Sequence, residues 1–185
     1  MTHPALDCKD PRRVRRLSRL LAIACLALIG ALPPAVALYW GLADSAELAV
    51  RAGLSVHALQ GPMATWQRVA AAAISAVPLA LMLAGVWEAR RCFLLFSAGQ
   101  VFTGDAVRRL RRFAAWMLAS AVCAIAAGAA VSVVITLHLP PGMRQLALSV
   151  GSDHVFTLFF ACMVWLLAAV IGEGQALVEE NASFV

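Results

Sequence analysis

Apolar residues in this chain are gathered into four long blocks, and the segments between the blocks carry the charged side chains. The blocks cover residues 20–43, 69–87, 113–139 and 154–171, and none of them contains Asp, Glu, Lys or Arg. At about 1.5 Å of rise per residue, blocks of this length match a hydrocarbon layer about 30 Å thick. The pattern therefore predicts four transmembrane helices.

Composition supports the same class of protein. Hydrophobic residues make up 62% of the chain and charged residues only 14%, which excludes an ordinary water-soluble domain. We therefore expect an all-α membrane protein with three parts. These are a basic leader (residues 1–19), a four-helix transmembrane domain (residues 20–172) and an acidic tail (residues 173–185).

The distribution of basic residues predicts the orientation of the spans. Six basic residues precede the first block, six lie in residues 88–112 and none follows the last block, whereas the other two connections hold two and one. Since basic residues stay on the cytoplasmic side, both termini and residues 88–112 are expected in the cytoplasm. This arrangement is typical of a multi-pass protein of the cell inner membrane.

A signal peptide is the alternative interpretation of the first block. A basic start, a short apolar core and Ala35-Val36-Ala37 together resemble a cleavage site, and cleavage would remove the block. Tyr39 and Trp40 instead fit an aromatic anchor at the end of an uncleaved span, which is the interpretation we favour.

Shorter elements are predicted at the membrane surface. Residues 44–68 have the pattern of an amphipathic helix along the outer interface, and the helix of the second block is expected to continue along the inner interface until Gly99 stops it. Thr103 can then cap a new helix whose first turn contains Asp105. A sharp turn should therefore join the second and third spans.

Prolines and small residues inside the blocks make further predictions. Pro33-Pro34 should kink or interrupt the first helix, and a neighbour or Ser75 should satisfy a carbonyl that Pro78 frees. Small residues recur every four positions in the third block, which predicts close helix contact. We favour contact within the chain over a homo-oligomer; the residues are Ala124, Gly128 and Ser132.

An arginine-rich surface is the main candidate functional site. It faces the cytoplasm in the predicted topology, and guanidinium groups suit both anionic lipid headgroups and a protein partner. Because the basic runs adjoin apolar blocks, nucleic acid is not expected as a partner. The six residues are Arg90, Arg91, Arg108, Arg109, Arg111 and Arg112.

Residues for catalysis or cofactor binding are scarce. The chain has no HExxH, GxSxG or phosphate-binding glycine loop and no CxxC pair, so we expect neither an enzyme nor a cofactor. Imidazole and carboxylate groups on the predicted outer face leave a metal or haem site as a weaker alternative to histidines bonded to water or backbone. The candidates are His57, His138, Asp153 and His154.

Two short motifs resemble a bacterial membrane family catalogued as domain of unknown function 2975. One is Gly99-Gln100-Val101-Phe102-Thr103 in the turn, and the other is Gly172-Glu173-Gly174-Gln175-Ala176-Leu177 followed by Glu179-Glu180-Asn181. Ala182 departs from the aspartate expected after that asparagine. The resemblance implies a four-span protein without an established activity and, through the helix-turn-helix regulators encoded near some members, a regulatory partner.

Together these observations favour a non-catalytic sensor, regulatory or accessory subunit with a cytoplasmic partner. Pro33-Pro34 and Pro78 leave a small transporter or channel subunit as the first alternative. The outer-face histidines leave a haem- or metal-dependent membrane enzyme as the second.

Overall fold

The computed structural model describes residues 11–44, 47–48, 64–100, 103–137 and 151–183. Four long α-helices make up most of these residues: α1 (Pro11–Leu42), α2 (Thr65–Ser97), α3 (Gly104–Thr136) and α4 (Ser152–Ser183). All four are long and apolar enough to cross a membrane. This confirms the predicted all-α membrane class with four spans, while the cytoplasmic location of the termini stays a prediction from charge.

The helices are longer than the apolar blocks that predicted them. The 33 residues of α2 extend over about 50 Å, roughly 20 Å more than the hydrocarbon layer is thick. The segment after Trp87 is the unbroken end of α2, as expected from the sequence, while its course along the membrane interface stays a prediction. Residues 11–19 of the leader likewise belong to α1, and the amphipathic helix predicted for residues 44–68 lies mostly outside the described residues.

The three intramembrane prolines lie inside helices that continue past them. Pro33 and Pro34 are within α1, and Pro78 is within α2. The hydroxyl of Ser120 on α3 donates a hydrogen bond of 2.8 Å to the carbonyl of Pro78. This bond joins α2 and α3, but it does not involve the carbonyl that Pro78 frees, which is four residues earlier, so that expectation stays a prediction.

Helices α2 and α3 pack along their whole length as an antiparallel hairpin. Along the contact, the residue numbers increase on α2 and decrease on α3, as in an antiparallel pair. The pairs are Gln67 with Ile135, Pro78 with Ser120, Gly85 with Trp116, Glu88 with Arg109 and Cys92 with Ala106. This hairpin is the centre of the fold, because α1 packs on α2 and α4 packs on α3.

Helices α2 and α3 come close together at a glycine that the sequence pattern did not single out. A Cβ on Gly85 would lie 3.2 Å from Cβ of Trp116, whereas a Cβ on Gly128 would meet no atom within 4 Å. Gly128 and Ala124 instead line an apolar cavity of about 230 Å³, which Tyr39 of α1 and Pro78 of α2 also line. The prediction of close helix contact at Gly128 is therefore wrong.

At the end of the molecule opposite the α2–α3 turn, two adjacent side chains of α2 satisfy backbone carbonyls of its neighbours. The Gln67 amide donates to the carbonyls of Val134 and Ile135 at 3.2 Å each, and these belong to the last turn of α3. The Arg68 guanidinium donates to the carbonyl of Ala43, just after α1, at 3.1 Å. The last carbonyls of a helix have no partner inside it, so these bonds cap α3 and α1.

Large apolar side chains remain exposed on the outer helices. Leu20 of α1 is 63% exposed and Phe156 of α4 is 71% exposed. In a water-soluble protein such surfaces would be unusual, but around a transmembrane bundle they contact lipid tails.

Candidate functional site

The six predicted arginines lie on the arginine hairpin, by which we mean residues 88–112, where α2 ends, the chain turns and α3 begins. The turn starts with Gly99, whose φ of 86° lies in the left-handed region. Its amide donates to the carbonyl of Phe96, and the amide of Gln100 donates to that of Leu95, both at 3.0 Å. These two bonds form a Schellman motif, which confirms the predicted helix stop at Gly99.

The start of α3 is capped as the sequence predicted. Thr103 has extended backbone angles, and its hydroxyl oxygen accepts a hydrogen bond from the amide of Ala106 at 3.4 Å. Asp105 in the first turn forms an ion pair of 2.6 Å with Arg108. The Schellman motif and this cap end one helix and begin the next within a few residues, which keeps the arginines of both helices close together.

One ion pair joins the two sides of the hairpin. Glu88 near the end of α2 accepts a hydrogen bond of 3.1 Å from Arg109 of α3, and the Glu88 side chain is only 12% exposed. Arg91, one turn further along α2, also lies 4.0 Å from the same carboxylate. Sequence reasoning missed the role of Glu88, because its partner is 21 residues away and no local spacing connects them.

Two consecutive arginines of α2, Arg90 and Arg91, contact an aromatic ring. The guanidinium carbon of Arg90 lies 5.2 Å from the ring centre of Trp87, and that of Arg91 lies 5.5 Å from it. Both distances allow cation–π attraction. Tryptophan is enriched where a helix leaves the hydrocarbon, so this group marks the membrane surface on α2.

A small polar cavity lies among the first turns of α3. It has a volume of about 150 Å³ and is lined by Asp105, Arg108, Arg109 and Arg112. The Nε atom of Arg109 is buried and has no hydrogen-bond partner in the part of the chain that the structure describes. Three arginines therefore line the cavity, and one of them, Arg109, also carries a buried donor without a partner among the described residues.

Both outer helices reach the arginine hairpin. Arg111 of α3 lies beside Gly172 of α4, and a Cβ on Gly172 would be 3.2 Å from Nη2 of Arg111. Arg15 of α1 lies beside Gly99, and a Cβ on Gly99 would be 3.4 Å from Nη2 of Arg15. The start of α1 and the part of α4 around Gly172 therefore lie at the same end of the bundle as the hairpin. The first glycine of the Gly172-Glu173-Gly174 motif therefore lies directly beside the Arg111 guanidinium.

Of the four candidate metal ligands, only His154 has its side chain among the described residues. His57 and His138 lie outside them, as does the side chain of Asp153. His154 is in the first turn of α4, with a buried Nδ1 atom that has no partner within the described ranges. Over those ranges no group of three His, Cys, Asp or Glu residues could hold a metal ion. The metal alternative stays a prediction, which metal analysis and an absorbance spectrum of the purified protein would test.

Comparison with known proteins matches the chain to a family model. A family model described as "Protein of unknown function (DUF2975)" matches residues 52–185. That region includes α2, α3 and α4 together with the arginine hairpin and the tail motif. No curated protein and no solved structure matches the chain significantly.

Proposed function

The chain belongs to the DUF2975 family, and we propose that it is a non-catalytic sensor, regulatory or accessory subunit of the cell inner membrane, with a cytoplasmic protein as its partner. The observation that carries the proposal is the contrast between the spans and the arginine hairpin. The four apolar blocks hold no Asp, Glu, Lys or Arg, whereas the hairpin holds six arginines on the two helix segments that flank its turn.

The geometry of the arginine hairpin suits recognition. Glu88 and Arg109 fix the two helices relative to each other, while the side chains of Arg91 and Arg108 remain 47% and 64% exposed. Exposed guanidinium groups on a rigid support favour a partner with an acidic surface, since complementary charge steers association and fixes register. The positive-inside rule places this surface in the cytoplasm.

Site-specific crosslinking in cells tests the proposal. A photoreactive amino acid at Gln100, which is exposed beside the turn, should capture one defined protein. The same group at Ser152, at the start of α4, is the matched control and should not capture that protein.

Charge removal adds a second arm to this experiment. Arg90→Gln together with Arg91→Gln should abolish the crosslinked product while the protein remains in the membrane. Capture of lipid alone from Gln100, or a product that persists after both substitutions, would contradict the proposal.

A small transporter or channel subunit is the second candidate function. The apolar cavity of about 230 Å³ between α1, α2 and α3, lined partly by Pro78, is the observation that favours it. Flux of a solute panel into liposomes that contain the purified protein tests this candidate. No accumulation above that of empty liposomes would argue against it.

A further inference from the structure

We propose that the cavity lined by Asp105, Arg108, Arg109 and Arg112 binds the phosphate group of an anionic lipid headgroup. This inference narrows the arginine hairpin to one defined site and one chemical class of ligand. It does not depend on the protein partner proposed above. The partner is tested by substitutions at Arg90 and Arg91, whereas the lipid site is tested by substitutions at Arg109 and Arg112.

The donors around the cavity match the chemistry of a phosphate. Each guanidinium group is a planar fork that can bond two phosphate oxygens at once. Arg109 uses Nη1 for Glu88, but its Nε atom is buried without an acceptor in the described part of the chain. A buried donor without an acceptor is rare in proteins. Because Arg109 lines the cavity, a phosphate oxygen bound beside it is the acceptor that we propose for this donor.

The charge around the cavity favours an anion. Arg108 is paired with Asp105, while Arg109 and Arg91 share Glu88. Arg112 has no ion pair with any residue that the structure describes. The arginines around the cavity therefore outnumber the carboxylates, and a lipid phosphodiester would offset part of the excess positive charge.

The depth of the cavity agrees with a lipid headgroup. Arg109 is paired with Glu88, the residue directly after Trp87, so the cavity lies beside the point where α2 leaves the hydrocarbon. Lipid phosphates occupy this level, and basic residues there attract anionic lipids.

Lipid binding to the full-length protein tests the site. The delipidated protein in neutral detergent is titrated with phosphatidylglycerol or with phosphatidylcholine, and bound lipid is counted by native mass spectrometry. We expect one tightly bound phosphatidylglycerol and no comparable phosphatidylcholine. Equal binding of the two lipids would overturn the proposal.

Two variants separate this site from general attraction to a basic surface. Arg112→Gln should weaken phosphatidylglycerol binding about fivefold more than Arg16→Gln, an exposed arginine of α1 that does not line the cavity. Fivefold corresponds to the ~1 kcal/mol that one basic residue contributes at an anionic membrane surface. Equal losses in the two variants would show that only overall charge matters.

A charge-conserving variant tests the unused donor. Arg109→Lys keeps a cation for Glu88 but removes Nε and the planar fork, so it should also weaken binding, and circular dichroism should show unchanged helix content. Unchanged lipid affinity in Arg109→Lys would contradict a role for that donor.

Competition with inorganic phosphate identifies the source of the phosphate. Millimolar inorganic phosphate should leave phosphatidylglycerol bound. Displacement of the lipid, or binding of inorganic phosphate without any preference for phosphatidylglycerol, would overturn the assignment to a lipid.

Discussion

Glu88 shows how a single residue holds the arginine hairpin together. Its carboxylate is mostly buried where α2 leaves the membrane, and it contacts Arg109 at 3.1 Å and Arg91 at 4.0 Å. A carboxylate in such a position neutralises part of the repulsion among the surrounding guanidinium groups. The geometry of the hairpin therefore depends on an acidic residue as much as on its arginines.

Removing this carboxylate should destabilise the protein. We expect Glu88→Ala to lower the free energy of unfolding by about 1–3 kcal/mol, less than for a fully buried pair because Arg109 is 29% exposed. Asp105→Ala, which breaks an exposed pair, is the matched control and should cost less than about 1 kcal/mol. Unfolding in mixed micelles measures both, and equal costs would contradict the special role of Glu88.

The left-handed turn at Gly99 leads to a second prediction. Gly99→Ala should destabilise the protein by about 1–2 kcal/mol, because a Cβ is unfavourable at a φ of 86°. Gly30→Ala is the control, since Gly30 lies inside α1 with no atom within 4 Å of its Cβ position. That change should be neutral or stabilising by up to ~1 kcal/mol. The same unfolding measurement applies, and a neutral Gly99→Ala would contradict the strain argument.

Features set by neighbouring residues were predictable at this scale. The stop at Gly99 and the cap at Thr103 depend on backbone angles and bonds within a few residues, and the sequence indicated both. The pair between Glu88 and Arg109 depends on the register of two helices, which no local pattern specifies. The sequence indicated six arginines as a candidate surface, which stays a prediction, but it did not indicate the grouping of Arg108, Arg109 and Arg112 around one cavity.

At the scale of the helices, the register between α2 and α3 is fixed at several points. Gly85 allows close approach near the middle, Ser120 bonds to the carbonyl of Pro78, and Gln67 caps the end of α3. Transmembrane helices associate through close packing and polar contacts rather than through the hydrophobic effect. These contacts therefore explain why the central hairpin is the most extensively packed pair.

Filling the space at Gly85 should separate the two helices. Gly85→Val should destabilise the protein by about 1–3 kcal/mol, because even a Cβ would lie 3.2 Å from that of Trp116. Gly128→Ala is the control, since it adds its methyl group beside a cavity and should not destabilise. The free energy of unfolding in mixed micelles distinguishes the two. Destabilisation by Gly128→Ala alone would restore the packing role that the sequence pattern suggested.

The cap formed by Gln67 should also be measurable. Gln67→Ala removes the donor that the carbonyls of Val134 and Ile135 share, and we expect a loss of about 1–3 kcal/mol in unfolding free energy. Gln100→Ala, at an exposed position beside the turn, should change stability by less than about 0.5 kcal/mol. Hydrogen exchange should rise at the end of α3 in the first variant only. Unaltered exchange there would contradict capping.

At the scale of the whole molecule, the four helices alternate in direction, so the start of α1 and the part of α4 around Gly172 lie at the same end as the arginine hairpin. The contact of Arg15 with Gly99 and that of Arg111 with Gly172 are the structural observations behind this statement. The number and approximate positions of the spans were predictable, because a block without charges must cross the bilayer as a helix. The helix ends were not, since α2 and α3 extend about 20 Å beyond what the bilayer requires.

Orientation in the membrane is the prediction at this scale. In a variant without native cysteines, Gln100→Cys should react with an impermeant thiol reagent only after the cytoplasmic face is exposed. Ser152→Cys should react in intact cells whose outer membrane has been permeabilised. Both residues are exposed, so access to the reagent depends on their side of the membrane. The opposite pattern would place the arginine hairpin outside and remove the basis for a cytoplasmic partner.

The placement of α1 and α4 on opposite partners of the central pair has a mechanical consequence. Among the described residues, the extensive contacts of α1 are with α2 and those of α4 are with α3, so the two outer helices are coupled mainly through the central pair. A displacement of either outer helix would therefore act first on α2 or α3, and near the arginine hairpin it would act through the contacts of Arg15 with Gly99 and of Gly172 with Arg111.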